Sequence, residues 1–327
     1  ARVVITTAGP FEKYGQNLVR MCAEEGVHYA DITGETDFFR KMIGECDSIA
    51  AKTGAKIVMH CGNDCVPWDL TVFEMAKFAE RKGCELVEVS TYTQLPESAT
   101  ASGGTLATAI YQLGKARGAG KPDFDPLLRS RDGTKSECVT QITSPKQDVY
   151  VPDFKCNGGP WIMAPVMANC VRRSNALLGY HKNFKYGDLM LRGTPTWGQY
   201  LSNKAYTGLV ASAVVLPSVF QRFLPGPGEG PPRETMEAGW LNVHAVGTIV
   251  DKMSGKQGTL ESKYHFDGDC AYLNTARMLV ESGLLLLSKD GVGGVMTPAA
   301  GLGSEIVERL QTEINATFEL KEKENSA

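Results

Sequence analysis

The chain has 327 residues, 43% hydrophobic and 22% charged, which is ordinary for a globular protein large enough for two domains with separate cores. A net charge of −3 leaves no overall basic field for nucleic acid, and the small basic clusters (Arg129 with Arg131, Arg172-Arg173, Lys321 with Lys323) read as solvated surface charge. Nine irregularly spaced cysteines argue against a disulfide framework and for reduced thiols in an intracellular compartment, cytoplasm or organelle; Cys61 and Cys65 lack the second ligand pair that zinc requires, so no metal is expected.

A β-branched run predicts a first strand over 3–7, closed by the small-residue turn Ala8-Gly9-Pro10-Phe11. A helix follows over 16–25 with Leu18, Val19, Met21 and Cys22 on its apolar side, then a strand over 27–32 and a helix over 38–52. A third strand is expected over 56–61 and a third helix over 68–82, closed by Gly83. Strands alternating with helices imply a parallel sheet, so residues 1–84 read as the second half of a Rossmann-type doubly wound sheet. No Gly-x-Gly-x-x-Gly run occurs in the chain, and the phosphate-gripping half of such a domain is expected to lie outside this sequence.

The pattern changes at Glu85, where 85–93 alternates like a strand with one wet face. A Gly-rich turn at Ser102-Gly103-Gly104 opens a helix over 105–115, and 118–160 reads as loops with short strands. Strands over 240–250 and 258–266, an apolar helix over 272–288, a helix over 304–313 and a strand over 316–320 complete the pass. Residues 85–270 are therefore expected to form an α+β substrate or dimerisation domain with a largely antiparallel sheet, and 271–327 to pack back on the first domain. The apolar stretch from Gly208 to Phe220 is too short to cross a bilayer, which needs about 20 residues. It reads as a buried helix, an oligomer contact or a lipid-facing patch, and it leaves membrane association open.

Three strand-end turns carry the chemistry: Ala8-Gly9-Pro10-Phe11 with Tyr14-Gly15, Asp31-Ile-Thr-Gly34-Glu35, and Gly62-Asn-Asp64-Cys-Val-Pro67-Trp-Asp69. Parallel strands share a direction, so all three fall on one edge of the sheet, where ligands of open α/β folds bind. Asp64 is placed to cap the helix that follows it.

Together these residues resemble the saccharopine dehydrogenase-like oxidoreductases, which include the trans-acting enoyl reductases of bacterial lipid synthesis. The matching motifs are Gly9-Pro10-Phe11 with Tyr14-Gly15, Tyr29-Ala-Asp31-Ile-Thr-Gly34-Glu35, Gly62-Asn-Asp64-Cys-Val-Pro67-Trp-Asp69-Leu70 and Ser102-Gly103-Gly104-Thr105. Pro227-Gly-Glu-Gly-Pro231, Gly239-Trp240 and Thr297-Pro-Ala-Ala300 match further on, while Asn63 and Cys65 stand where the family has Phe and Ser. The resemblance implies NAD or NADP as hydride carrier, with Ala8, Gly9, Pro10, Phe11, Gly34 and Gly62 on the cofactor side. It implies a cleft shaped by Asp31, Glu35, Asp64 and Pro67 and faced by Ser102, Gly103, Gly104 and Thr105. Tyr14 and His60 are the candidates for proton donor, and Cys65 lacks the histidine partner of a nucleophile.

The leading expectation is an NAD(P)-dependent oxidoreductase acting on a small-molecule or lipid-linked enoyl or carbonyl group. The rivals are a non-catalytic accessory subunit that keeps the fold, in a homo-oligomer or larger assembly, and a peripheral lipid-binding protein.

Overall fold

The computed structural model describes residues 1–96, 124–161, 163–192 and 229–323. The turn at 102–105, the helix expected over 105–115 and the apolar stretch 208–220 lie outside them.

The first sheet is built from β1 (Val3–Thr6), β2 (His28–Asp31) and β3 (Lys56–Val58), parallel and side by side in that order. A fourth strand, β11 (Gly294–Met296), joins β3 in parallel from far along the chain. Side chains alternate between the two faces, as a pleated strand requires. Val4, Tyr29, Ile57 and Val295 pack with Phe38, Phe39, Met42 and Ile43 of one helix layer. Val3, Ala30, Val58 and Met296 pack with Met278, Leu279, Ala299 and Leu302 of the other. The first layer consists of α1 (Phe11–Tyr14), α2 (Gln16–Glu24) and α3 (Thr36–Thr53). Within α2, Val19 and Cys22 are buried while Leu18 and Met21 stay exposed, so the apolar side is narrower than the sequence suggests.

Helix α4 (Val66–Arg81) leads to the second sheet. Its first half packs in the core containing Ala30 and Val58, and its second half (Val72, Met75, Ala79) packs on β4 (Cys84–Gln94). The second sheet runs β12-β10-β9-β4-β8-β7-β6, with β5 (Val139–Ile142) also on β8. These strands are β6 (Val149–Val151), β7 (Cys156–Gly159), β8 (Asn183–Arg192), β9 (Trp240–Asp251), β10 (Gln257–Asp267) and β12 (Thr317–Glu322). Among the described residues only the β4–β8 and β5–β8 pairs of this sheet are parallel, so it is largely antiparallel. Of residues 271–327, β11 enters the first sheet whereas β12 pairs with β10 in the second.

Helix α5 (Ala164–Leu178) was not anticipated, because its periodicity is interrupted by Arg173, Ser174 and Asn175. All three are fully buried and each has a partner. Arg173 meets Asp47 at 3.3 Å and donates to the Val295 carbonyl at 3.0 Å, while Ser174 donates to Asp69 and Asn175 donates to Thr140. Arg173 is therefore no surface charge; it pins α5 to α3 and β11. The short α6 (Arg233–Glu237) precedes β9, and α7 (Leu273–Leu286), α8 (Pro298–Leu302) and α9 (Ser304–Ile314) complete the described helices. No described helix is long and apolar enough to cross a membrane.

Candidate active site

The carboxyl ends of β1, β2 and β3 bring the three turns into contact. Glu35, 1% exposed, accepts the Phe11 amide at 2.7 Å and the Glu12 amide at 2.9 Å, so the second turn satisfies the open amides at the start of α1. Asp31 ties the second turn to the third. Its carboxylate accepts the Thr33 amide at 3.1 Å, the His60 amide at 3.2 Å and the Tyr29 hydroxyl at 2.9 Å. Burial outweighs those donors and pushes the Asp31 carboxyl up to about 7.

His60 sits in the left-handed region at φ 65°, which a side chain adopts only where surroundings hold it. Its Nδ1 donates to the Thr33 carbonyl, and its ring stands edge-on to Phe39 at 4.5 Å. A carbonyl only accepts, so Nδ1 carries the proton. Burial lowers the imidazole to about 4, leaving it neutral at pH 7. At 2% exposure His60 braces the turn from within, whereas Tyr14 is 60% exposed with the Lys13 ammonium 5.0 Å from its ring centre.

Gly62 fits where no larger residue does, since a methyl there would lie 2.9 Å from Thr275 Cγ2. Its neighbour Asn63 donates its amide to Thr275 Oγ1 at 3.0 Å, and its buried side-chain oxygen has no donor. Pro67 is buried in the first turn of α4, where a missing amide costs nothing. The capping expected of Asp64 is not made: Cys65 occupies the cap position without a side-chain bond. The Asp64 carboxyl instead lies against Gly34, where an added methyl would meet its Oδ2 at 3.1 Å and Met163 Cε at 3.8 Å. It is partly buried, and burial raises it to about 6.

Asp69, quoted above only as part of a motif, is fully buried. It accepts from Ser174 Oγ and from the Ala299 amide at 2.8 Å, locking α4 to α5 and to the start of α8. Trp68 donates to Thr93 Oγ1 at 3.1 Å and its ring lies 5.2 Å from that of Trp161. Trp161, Met163 and Thr275 thus belong to the neighbourhood of the edge, although no spacing in the sequence links them to the three turns. Ala8 and Gly9 are exposed, and Gly34 and Asp64 partly so; Phe11, Asp31, Glu35, Gly62 and Pro67 are buried behind them.

The chain shares its architecture with a solved structure of apo saccharopine dehydrogenase (L-Glu forming) from Saccharomyces cerevisiae, at a TM-score of 0.58 and 11% identity, covering 98% of this chain and 85% of that one. This likeness confirms the Rossmann-type α/β fold. No family model matches the chain. Curated relatives are closer in sequence: a candidate trans-acting enoyl reductase of Mycobacterium tuberculosis is 35% identical over 337 aligned residues. Trans-acting enoyl reductases of Mycobacterium bovis and Mycobacterium ulcerans are each 32% identical. In all three, the match covers 95% of this chain and 78% of the relative. The chain belongs to the trans-acting enoyl reductases.

Proposed function

We propose that the protein is an NAD(P)-dependent oxidoreductase that reduces an enoyl or carbonyl group on a lipid-linked substrate. The observation that carries this reading is the 32–35% identity to trans-acting enoyl reductases along 95% of the chain. The edge suits a nicotinamide: Ala8 and Gly9 offer exposed backbone at the end of β1, and Gly34 leaves room beside it. In this reading Ala8, Gly9, Pro10, Phe11, Gly34 and Gly62 hold the cofactor, which supplies hydride when bound. Asp31 and Glu35 keep the turns in place, and Asp64 and Pro67 shape the substrate side. The apolar stretch 208–220 supports a lipid-linked substrate over a free small one.

The test uses NADH and NADPH deuterated at C4, each face in turn, with a crotonyl and a hexadecenoyl N-acetylcysteamine thioester. One deuterium appearing at the product β-carbon, with the longer acyl chain favoured, is the expected result. No reduction by folded protein of either thioester, or of the 3-oxoacyl thioesters of the same chain lengths, overturns the reading.

A further inference from the structure

Enoyl reduction needs a proton as well as a hydride, and the edge holds one carboxyl group suited to supply it. Asp31 and Glu35 are fully buried, and their oxygens are engaged by backbone amides and, for Asp31, the Tyr29 hydroxyl. Asp69 is buried among α4, α5 and α8. Asp64 differs in all these respects. It is partly exposed at the carboxyl edge, leaves the capping of α4 to Cys65, and is directed across the gap at Gly34. Among the described residues no donor is bonded to its carboxyl, so nothing there fixes it as a carboxylate.

We infer that Asp64 is the proton donor to the substrate carbon beside the carbonyl, an inference that rests on the enoyl-reductase reading above. In the balanced step, a hydride from the dihydronicotinamide class of donor is added to the β-carbon and the C=C π bond opens toward the carbonyl. The α-carbon then takes the Asp64 proton as the Asp64 O–H bond breaks, and water returns a proton to the carboxylate. A group that titrates near 6 is matched to this work, because it can both give and regain its proton near neutral pH. The desolvation that raises it is supplied by the walls of the edge, and Gly34 is the residue that lets the carboxyl come so close. His60 and Tyr14 are left with other roles: His60 is sealed beneath Thr33 and Phe39, and Tyr14 stands on the exposed side of α1.

The experiment compares wild type, Asp64→Asn and Asp64→Glu on a tigloyl thioester, whose α-carbon becomes a stereocentre on reduction. Asp64→Asn is expected to lower kcat by about 10²–10⁴-fold, the usual contribution of a positioned acid. It should also abolish the alkaline fall of the kcat profile and give a racemic α-carbon, with NADPH and NADH dissociation constants within about threefold of wild type. Asp64→Glu should restore part of the rate and the single enantiomer. Infrared titration of the protein without cofactor supplies the second readout: Asp31, Asp69 and Asp188 titrate at about 6–7 in both proteins, so the wild-type minus Asp64→Asn difference is read, and it should hold one carboxylic C=O band that titrates near 6. Should Asp64→Asn fail to fold, Asp64→Ser, which also removes the carboxyl, should reproduce the loss of rate and stereochemistry with dinucleotide binding kept. Wild type that neither binds dihydronicotinamide nor reduces the thioester overturns both readings. Wild type that turns over, alongside an Asp64→Asn variant with unchanged rate, profile and stereochemistry, overturns the role of Asp64 alone.

Discussion

The carboxylate of Glu35 accepts the backbone amide of Phe11 at 2.7 Å, and that bond joins the turn after β2 to the turn after β1. The second oxygen takes the Glu12 amide, so one side chain holds the start of α1 in place. The shape of the edge therefore depends on a residue that a ligand is not required to touch.

Glu35→Ala leaves two amides without their acceptor, one of them buried. Each orphaned group costs about 1–3 kcal/mol, so a loss of about 2–6 kcal/mol is expected in urea unfolding. Glu35→Gln keeps one acceptor oxygen and should lose less. Equal losses for the two variants would show that the amide bonds are not what Glu35 contributes.

The Arg173–Asp47 pair lies between α5, α3 and β11, with Arg173 fully buried. Removing one partner of such a pair leaves an uncompensated charge, which costs about 3–5 kcal/mol. Asp47→Ala should lose that amount, because Asp47 also accepts the Val295 amide at 2.7 Å. An unfolding midpoint equal to wild type would contradict this account of how β11 is held.

Much of this architecture was readable from the chain, and each failure has a physical origin. The strands and helices of the first sheet follow apolar periodicity, and their turns carry Gly and Pro where the backbone demands them. Helix α5 was missed because Arg173, Ser174 and Asn175 occupy its buried face, and only tertiary partners make polar residues acceptable there. Strand β11 is three residues long and begins within a glycine-rich run, too short to show a period. At the edge, the three turns were identified as a group because parallel strands share a direction. That Asp64 would leave the cap of α4 to Cys65 was not readable, whereas a histidine packed at a strand end, as His60 is against Phe39, is the commoner outcome for a lone histidine there.

Glycine substitutions separate close approach from mere flexibility. Gly62→Ala places a methyl 2.9 Å from Thr275 Cγ2 and 3.3 Å from Ile32 Cγ2, and overpacking of this kind costs about 1–3 kcal/mol. Gly44→Ala, inside α3 with nothing within 4 Å of the added methyl, should instead stabilise by about 0.5–1 kcal/mol. Thermal unfolding of the two variants should shift in opposite directions; shifts of the same sign would refute the packing argument.

Asp31 gives the fold a pH dependence of defined sign. Its carboxyl titrates at about 7 in the folded protein, against about 3.9 in an unfolded chain. Between those values the folded state keeps a proton that the unfolded state has released. The resulting stabilisation is fully present below the unfolded value and is lost as pH rises through about 7. The melting temperature of wild type relative to Asp31→Asn should therefore fall from pH 5 to pH 8. Parallel curves over that range would contradict burial as the dominant influence on Asp31.

The central claim, that the edge formed by Gly9, Gly34 and Gly62 binds a nicotinamide dinucleotide, is tested most directly by calorimetric titration of NADH and NADPH into the protein as its organism makes it. The account predicts saturable one-to-one binding of at least one of them at micromolar concentration, weakened by Gly34→Ala. Folded protein that binds neither would contradict it.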